Sequence, residues 1–273
     1  MIQVSANVYV ETSIPMCNLG FITTKAGIVM IDTPMFPSWA LKWRDEVGKK
    51  GEIKYVINTE EHVDHFWGTP FFPGTLISSQ ITRTKISRIP FDNFVKEISH
   101  SDPEGLPSLT KMNRFRLADI TFTESLELFL GDHTFILFPL PGHSSGGTGV
   151  YIPEERLVFS SDAIFGRKRT WLRDATPSQW FESLKKLNDL DVDTIVPGHG
   201  ELVTKDYITE QTEIVKRWDE VAQSALKQGL SAEEAASTMP PIDPHPERPG
   251  VPYSESDLNK WFMARLYAVY SGK

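Results

Sequence analysis

Four short segments carry the residues best suited to chemistry: TEEHVDH (59–65), LPGHSSG (140–146), FSSDAIFG (159–166) and VPGHG (196–200). Each sets a histidine or an aspartate just behind an apolar run, beside glycine or proline or before an aromatic pair. His62, His65, His143 and His199 make up four of the seven histidines in the chain. Imidazole and carboxylate are the ligand types that suit zinc, iron and manganese. Taken singly, each residue has an ordinary explanation. A histidine at a strand end more often hydrogen-bonds or faces water, and Asp162 alone reads as a cap or turn residue. Jointly they point to a metal centre, because strand ends along one edge of a sheet converge in space.

The elements that must position them follow from patterning. QVSANVYVET alternates as a strand does, and CNLGFITTKAGIVMIDT reads as two strands joined around Lys25-Ala26-Gly27. The run Ile28 to Ile31 is apolar throughout, which suggests burial on both faces, and it stops at Asp32-Thr33-Pro34. SWALKWRDEVGKKG reads as a helix with Ser38 as its N-cap, and IKYVINT as a buried strand that delivers the chain into TEEHVDH. Residues 80 to 115 mix prolines and charges with one short helical pattern, so they read as a cap or insertion. Strand signals return from Phe115 to Phe165, with turns at Gly131-Asp132 and Pro153-Glu154-Glu155. SQWFESLKKLNDL and YITEQTEIVKRWDEVAQSALKQG read as helices, the second ending at Gly229. A proline-rich segment from Pro240 to Pro252 precedes a last helix carrying Trp261, Phe262, Leu266, Tyr267 and Tyr270 as an aromatic stripe. The domain expectation is a catalytic body over 1–239, with 240–273 docking on it. A dimer contact, giving a homodimer, or a lid is the alternative use of that stripe.

Composition narrows the classes. A chain of 273 residues can bury a sizeable core, and 40% hydrophobic with 23% charged residues is ordinary for a globular protein. A net charge of −8 argues against a generic nucleic-acid binder. No apolar run reaches membrane-spanning length, no leader-like start is visible, and the single cysteine, Cys17, cannot form an internal disulfide. The expected partner is a small-molecule substrate, with no nucleic acid and no membrane, and the expected location is cytoplasmic.

The ordered set of segments resembles the metallo-β-lactamase superfamily, whose signature is H-x-H-x-D-H followed by separate His, Asp and His segments. The resemblance covers roughly residues 1 to 205, and GIVMIDTP resembles the family's strand ending in a structural aspartate. It implies an α/β fold: a four-layer αβ/βα sandwich of two mixed β-sheets with outer helices and a dinuclear site along one edge. Carried over by position, it implies Glu60, His62 and His143 at site one and Asp64, His65 and His199 at site two. Asp162 would bridge, and Asp64 would also orient the nucleophile as the catalytic residue. The implied cofactors are two divalent metal ions, zinc by family, holding a hydroxide that attacks an ester, lactone, thioester or related acyl bond.

Glu60 departs from the pattern, which has histidine there. It is an oxygen ligand, or it points away and leaves site one weak, or metal chemistry has been lost. As a ligand it would make the site harder and more negative, which admits iron or manganese. A metal-dependent hydrolase is therefore the leading expectation, a di-iron redox or oxygen-handling protein of the same fold is one alternative, and a non-catalytic metal-binding module is another. Substrate signals are thin. Arg167 and Arg169, in GRKRTWLRD after Asp162, either attract an anionic substrate or pair with nearby acids on a solvated loop. Trp67 either walls the pocket or packs below it. Ser144 and Ser145 are outer donors or plain turn residues.

Overall fold

The computed structural model describes residues 1–110, 112–247 and 252–271; residues 248–251 of the proline-rich segment lie outside the described residues. The first half builds a seven-stranded sheet whose neighbours run in chain order: Ile2–Gln3, Val8–Glu11, Leu19–Thr24, Gly27–Ile31, Ile53–Asn58, Thr75–Ser79 and Ile120–Phe122. Its first three pairings are antiparallel. The last three are parallel, because helical crossovers join those strands. The second half builds a five-stranded sheet in the order Thr194–Val196, Leu157–Phe159, Thr148–Ile152, His133–Pro139 and Leu126–Leu130. Both sheets are mixed, as the α/β sandwich requires.

The sheets face each other across one apolar layer. Val8, Val10, Ile22, Val29, Ile31, Ile57 and Ile77 meet Phe135, Leu137, Val150, Ile152, Leu157 and Phe159, all buried. The outer face of the first sheet is covered by the helix Pro37–Gly48 and by residues 80–115, and that of the second by the helices Pro177–Asp189, Tyr207–Lys227 and Glu255–Ser271. Four layers result, since each sheet has a second apolar face that only helices can cover without leaving an edge unpaired.

Residues 80–115 pack as part of this body. The segment forms the helices Gln80–Ile86 and Phe91–Ser101. Phe91, Phe94, Ile98, Leu109 and Phe115 are buried in the same cluster as Phe66 and Trp67. Ser38 does not cap its helix. The helix Pro37–Gly48 starts one residue earlier, without a side-chain cap, and the Ser38 N–H is bound instead by Asp102 Oδ2 at 2.9 Å. A carboxylate 64 positions away replaces the local cap, which no local pattern could reveal. The turn at Gly131 is present, with φ of +62°, and Gly229 follows the helix Tyr207–Lys227 with φ of +73°. In the last helix Leu258, Phe262, Met263 and Leu266 are buried against the cluster that holds Trp218, while Tyr270 is partly exposed and bonds Asp219. Among the described residues no helix is long and apolar enough to cross a membrane.

Candidate metal centre

Each segment singled out above ends at the same edge of the sandwich. The strand Ile53–Asn58 leads to Glu60 and to His62, the latter in extended backbone, then to a single turn of helix, Val63–Phe66, that presents Asp64 and His65. His143 follows the strand His133–Pro139, and Asp162 follows Leu157–Phe159. A short parallel pairing, Phe165–Gly166 with His199–Gly200, ties the last two segments together and sets Phe165 opposite His199. Gly198 permits this approach: a Cβ there would lie 1.8 Å from Asp162 Oδ1.

The ligand side chains converge in two adjoining groups. Ligand atoms of Glu60, His62, His143 and Asp162 lie within 4.8 Å of one another, and so do those of Asp64, His65 and His199. Asp162 stands between them. Its Oδ2 is 3.4 Å from His143 Nε2 and 3.1 Å from His199 Nε2, and its Oδ1 is 3.4 Å from His65 Nε2. Asp64 Oδ2 lies 3.4 Å from His199 Nε2. Glu60 points inward: Oε1 is 2.7 Å from His62 Nδ1, 3.5 Å from His65 Nε2 and 3.8 Å from His143 Nε2. Its Oε2 accepts from Ser144 Oγ at 2.9 Å. The neighbouring Glu61 turns away to Lys85 Nζ at 2.6 Å, with Ser145 Oγ at 3.4 Å.

Each histidine is oriented from outside by an acceptor. His65 Nδ1 donates to Asp32 Oδ2 at 2.8 Å, His143 Nδ1 to the Trp171 carbonyl at 2.8 Å, and His199 Nδ1 to the Met16 carbonyl at 2.8 Å. His62 Nε2 donates to Asp174 Oδ2 at 3.0 Å. With one nitrogen spent as a donor, a neutral imidazole turns a lone pair inward on the other. Four such lone pairs and three carboxylates then face each other. That donor set fits a cation, since lone pairs as close as His62 Nδ1 and Glu60 Oε1 repel unless a proton or metal lies between. His65 Nε2 and Asp162 Oδ1 are buried and make no hydrogen bond. Buried polar atoms in that state want a partner, and a metal supplies one for both.

The same crowding perturbs the titrations. Burial alone would push the His62 and His65 imidazoles down, but neighbouring acids hold both well above the ordinary range: chiefly Glu60 for His62, and Cys17, Asp162 and Asp32 for His65. Burial opposes ionisation of Asp162 and Glu60 too, yet His199 and His65 beside Asp162, and His62 beside Glu60, keep both carboxyls below their usual range. The His62 bond and charge bring Asp174 down to about 2. Protons and metals therefore compete for one set of atoms.

A family model described as the metallo-beta-lactamase superfamily matches residues 14–199. The chain belongs to that superfamily. Among curated superfamily relatives, the 2,4-dinitroanisole O-demethylase subunit alpha of Nocardioides sp. (strain JS1661) is 25% identical over 73% of this chain and 56% of its own length. The beta-lactamase-like protein 2 homolog of Caenorhabditis elegans is 26% identical over 64% of this chain and 49% of its own. The chain thus spans about half the length of these relatives. A hydroxyacylglutathione hydrolase from Bartonella quintana is 39% identical over a shorter stretch, 25% of this chain and 27% of its own. Among solved structures, the sec-alkylsulfatase Pisa1 from Pseudomonas sp. superimposes with a TM-score of 0.72 over all of this chain and 51% of its own, at 14% identity. A metallo-beta-lactamase from Pontibacter korlensis gives 0.62 over 79% and 97%, at 16% identity. These structures bear on the fold alone.

The expected substrate contacts fare differently. Arg169 is buried and reaches the last helix, with Nη2 bonding Asn259 Oδ1 at 2.7 Å and Nη1 3.4 Å from Glu255. Arg167 is exposed, 3.5 Å from Glu201 and over the Tyr207 ring. Trp67 is buried against Phe94 in the core of the first half. Both arginines thus lie beside acids, and Trp67 lies among core rings. Lys168, by contrast, lines a cavity of about 600 Å³ together with Ile14, Pro15, Met16, Leu202 and His199. Asp174 and the Trp171 and Met16 carbonyls went unread in the sequence. Asp174 closes the same basic loop, and its one signal was an acid at the end of a run that should face the site.

Proposed function

We propose that the protein is a metal-dependent hydrolase of an ester, lactone, thioester or related acyl bond. The observation that carries the proposal is the convergence of seven ligand side chains with their lone pairs turned inward. Glu60, His62 and His143 would hold one metal, Asp64, His65 and His199 a second, with Asp162 shared. Bound there, divalent metals supply an acidified water as nucleophile and positive charge for the acyl oxygen. Asp64, whose side chain is 13% exposed, would accept a hydrogen bond from that water and orient it. The cavity beside His199 offers apolar Ile14, Pro15 and Leu202 to an acyl chain and Lys168 to a nearby negative charge. The name of the hydroxyacylglutathione hydrolase relative favours an acyl substrate, while the O-demethylase and sulfatase names mark the other bonds to be tried. Zinc is the family's expectation; the inward oxygen of Glu60 favours a share for iron or manganese. That same oxygen is the reason to keep a di-iron, oxygen-handling role as the second reading. A small-molecule substrate and a cytoplasmic setting complete the proposal.

The test is elemental analysis of protein purified without added metal, then a panel of an aryl ester, a lactone, a thioester, an alkyl sulfate and an aryl methyl ether. Metal-dependent turnover of an acyl substrate, lost in His143→Ala, supports the proposal. Turnover confined to sulfate or ether sinks it, and two irons with oxygen consumption select the second reading.

A further inference from the structure

We propose that the carboxy-terminal segment assembles site one, acting through residues 166–174, and that Asp174 is the positioning residue at the end of that route. The inference rests on the reading of Glu60, His62 and His143 as site one. Both site-one histidines donate their outer hydrogen bonds to this loop: His143 Nδ1 to the Trp171 carbonyl at 2.8 Å, His62 Nε2 to Asp174 Oδ2 at 3.0 Å. The loop has no regular structure from Arg167 to Asp174, so something else must hold its carbonyl and carboxylate in place.

The carboxy-terminal segment does so at three consecutive residues, Arg169, Thr170 and Trp171. Arg169 N–H donates to the Pro246 carbonyl at 3.0 Å, Thr170 N–H to Asp243 Oδ2 at 2.7 Å, and the Trp171 indole N–H to Glu247 Oε1 at 3.2 Å. From the last helix, Arg265 Nε donates to the Ala175 carbonyl at 2.8 Å, just beyond Asp174. The Trp171 ring also packs edge-on against Phe262, their centroids 5.9 Å apart. Site two is supported from elsewhere. His65 is held by Asp32 at the end of the strand Gly27–Ile31, and His199 by the Met16 carbonyl between the strands Val8–Glu11 and Leu19–Thr24. The outer hydrogen bonds of the histidines therefore have separate sources, the amino-terminal sheet and its loops for site two and the loop braced by the carboxy-terminal segment for site one.

Within site one the exposed member is His62, since His143 is 5% and Glu60 1% exposed. The His62 side chain is 28% exposed, against 0% for His65 and 1% for His199, and its partner Asp174 is 54% exposed. Loosening the loop should thus release site one and leave site two intact. Losing such outer support typically weakens a metal 10- to 100-fold.

The experiment measures Zn²⁺ stoichiometry and affinity by chelator competition on the full chain. The variants are Asp174→Ala, Asp174→Asn and Asp243→Ala, each also made in a His199→Ala background that isolates site one. Asp174→Ala is half exposed and should fold as the parent does, which circular dichroism and melting in chelator will check. Expected is a 10- to 100-fold loss for one equivalent with the other unchanged, the same loss in the His199→Ala background, and partial rescue in Asp174→Asn, whose amide oxygen can still accept from His62 Nε2. Equal weakening of both equivalents, or two equivalents unchanged in all variants, overturns the inference. A parent protein that takes up no metal at all overturns the metal-centre reading beneath it.

Discussion

Asp32→Asn tests how the centre depends on a proton held outside it. Asp32 has φ of +56°, unusual for a residue with a side chain, and its carboxylate is buried. Oδ1 accepts from Thr59 N–H at 2.7 Å, while Oδ2 accepts from Thr59 Oγ1 at 2.6 Å and from His65 Nδ1 at 2.8 Å. An asparagine fits the same space and must keep its oxygen toward Thr59 N–H, since the reverse would press two donors together at 2.7 Å. Its NH2 then faces His65 Nδ1, which has to become the acceptor. The ring proton moves to Nε2, the atom that faces Asp162 Oδ1 at 3.4 Å and Glu60 Oε1 at 3.5 Å. A protonated nitrogen cannot ligate, so each metal bound at site two must first reverse the tautomer and leave the amide opposed by a second N–H. Loss of such a partner costs roughly 10- to 100-fold in metal affinity, or about 1.4–2.7 kcal/mol. Fold stability should fall by about 1.5–3 kcal/mol as the charge-assisted bonds weaken. Chelator competition gives the first quantity and urea unfolding in chelator the second. Unchanged affinity for both equivalents in a folded variant would refute the tautomer argument.

Three further outcomes follow from the same geometry. Glu60→His should raise zinc occupancy of site one, because Glu60 Oε1 already faces His62 and His143; flat occupancy by elemental analysis would place the side chain outside the site. Gly198→Ala puts a Cβ 1.8 Å from Asp162 Oδ1, so Asp162 must shift by roughly 1.5 Å to reach ordinary contact, and turnover should drop on the order of 100-fold with both metals weakened. Unfolding of metal-stripped protein against pH should show an acid limb from Glu155. Burial would raise that carboxyl, but its bonds to His133, Ser5 and Asn7 hold it below 4.5, so its stabilisation is complete above pH 4.5 and fades as pH falls through the lowered value. Glu155→Gln should flatten the limb and cost about 1.5–3 kcal/mol at neutral pH; an unaltered limb would assign it to other acids.

The sequence by itself determined individual strands, turns such as Gly131, and the histidines and aspartates at strand ends, all local and therefore written in short stretches. The ordered segments resemble the superfamily, and the two-sheet architecture was what that resemblance implied. It also singled out Glu60 over Glu61, since the register runs through His62, Asp64 and His65. Tertiary structure decided everything that needed a partner far along the chain. Glu60 faces inward because Ser144 takes one oxygen while Lys85 draws Glu61 away. Arg169 meets Asn259 and Glu255, ninety and eighty-six positions later, partners that the basic run itself could not name. Asp102 caps a helix that seemed to carry its own serine. Asp174 reaches His62 across 112 positions. A hydrogen bond or ion pair acts over a few ångströms in space with no regard to separation in sequence, so which acids and bases meet is settled only when the sheets close on one another.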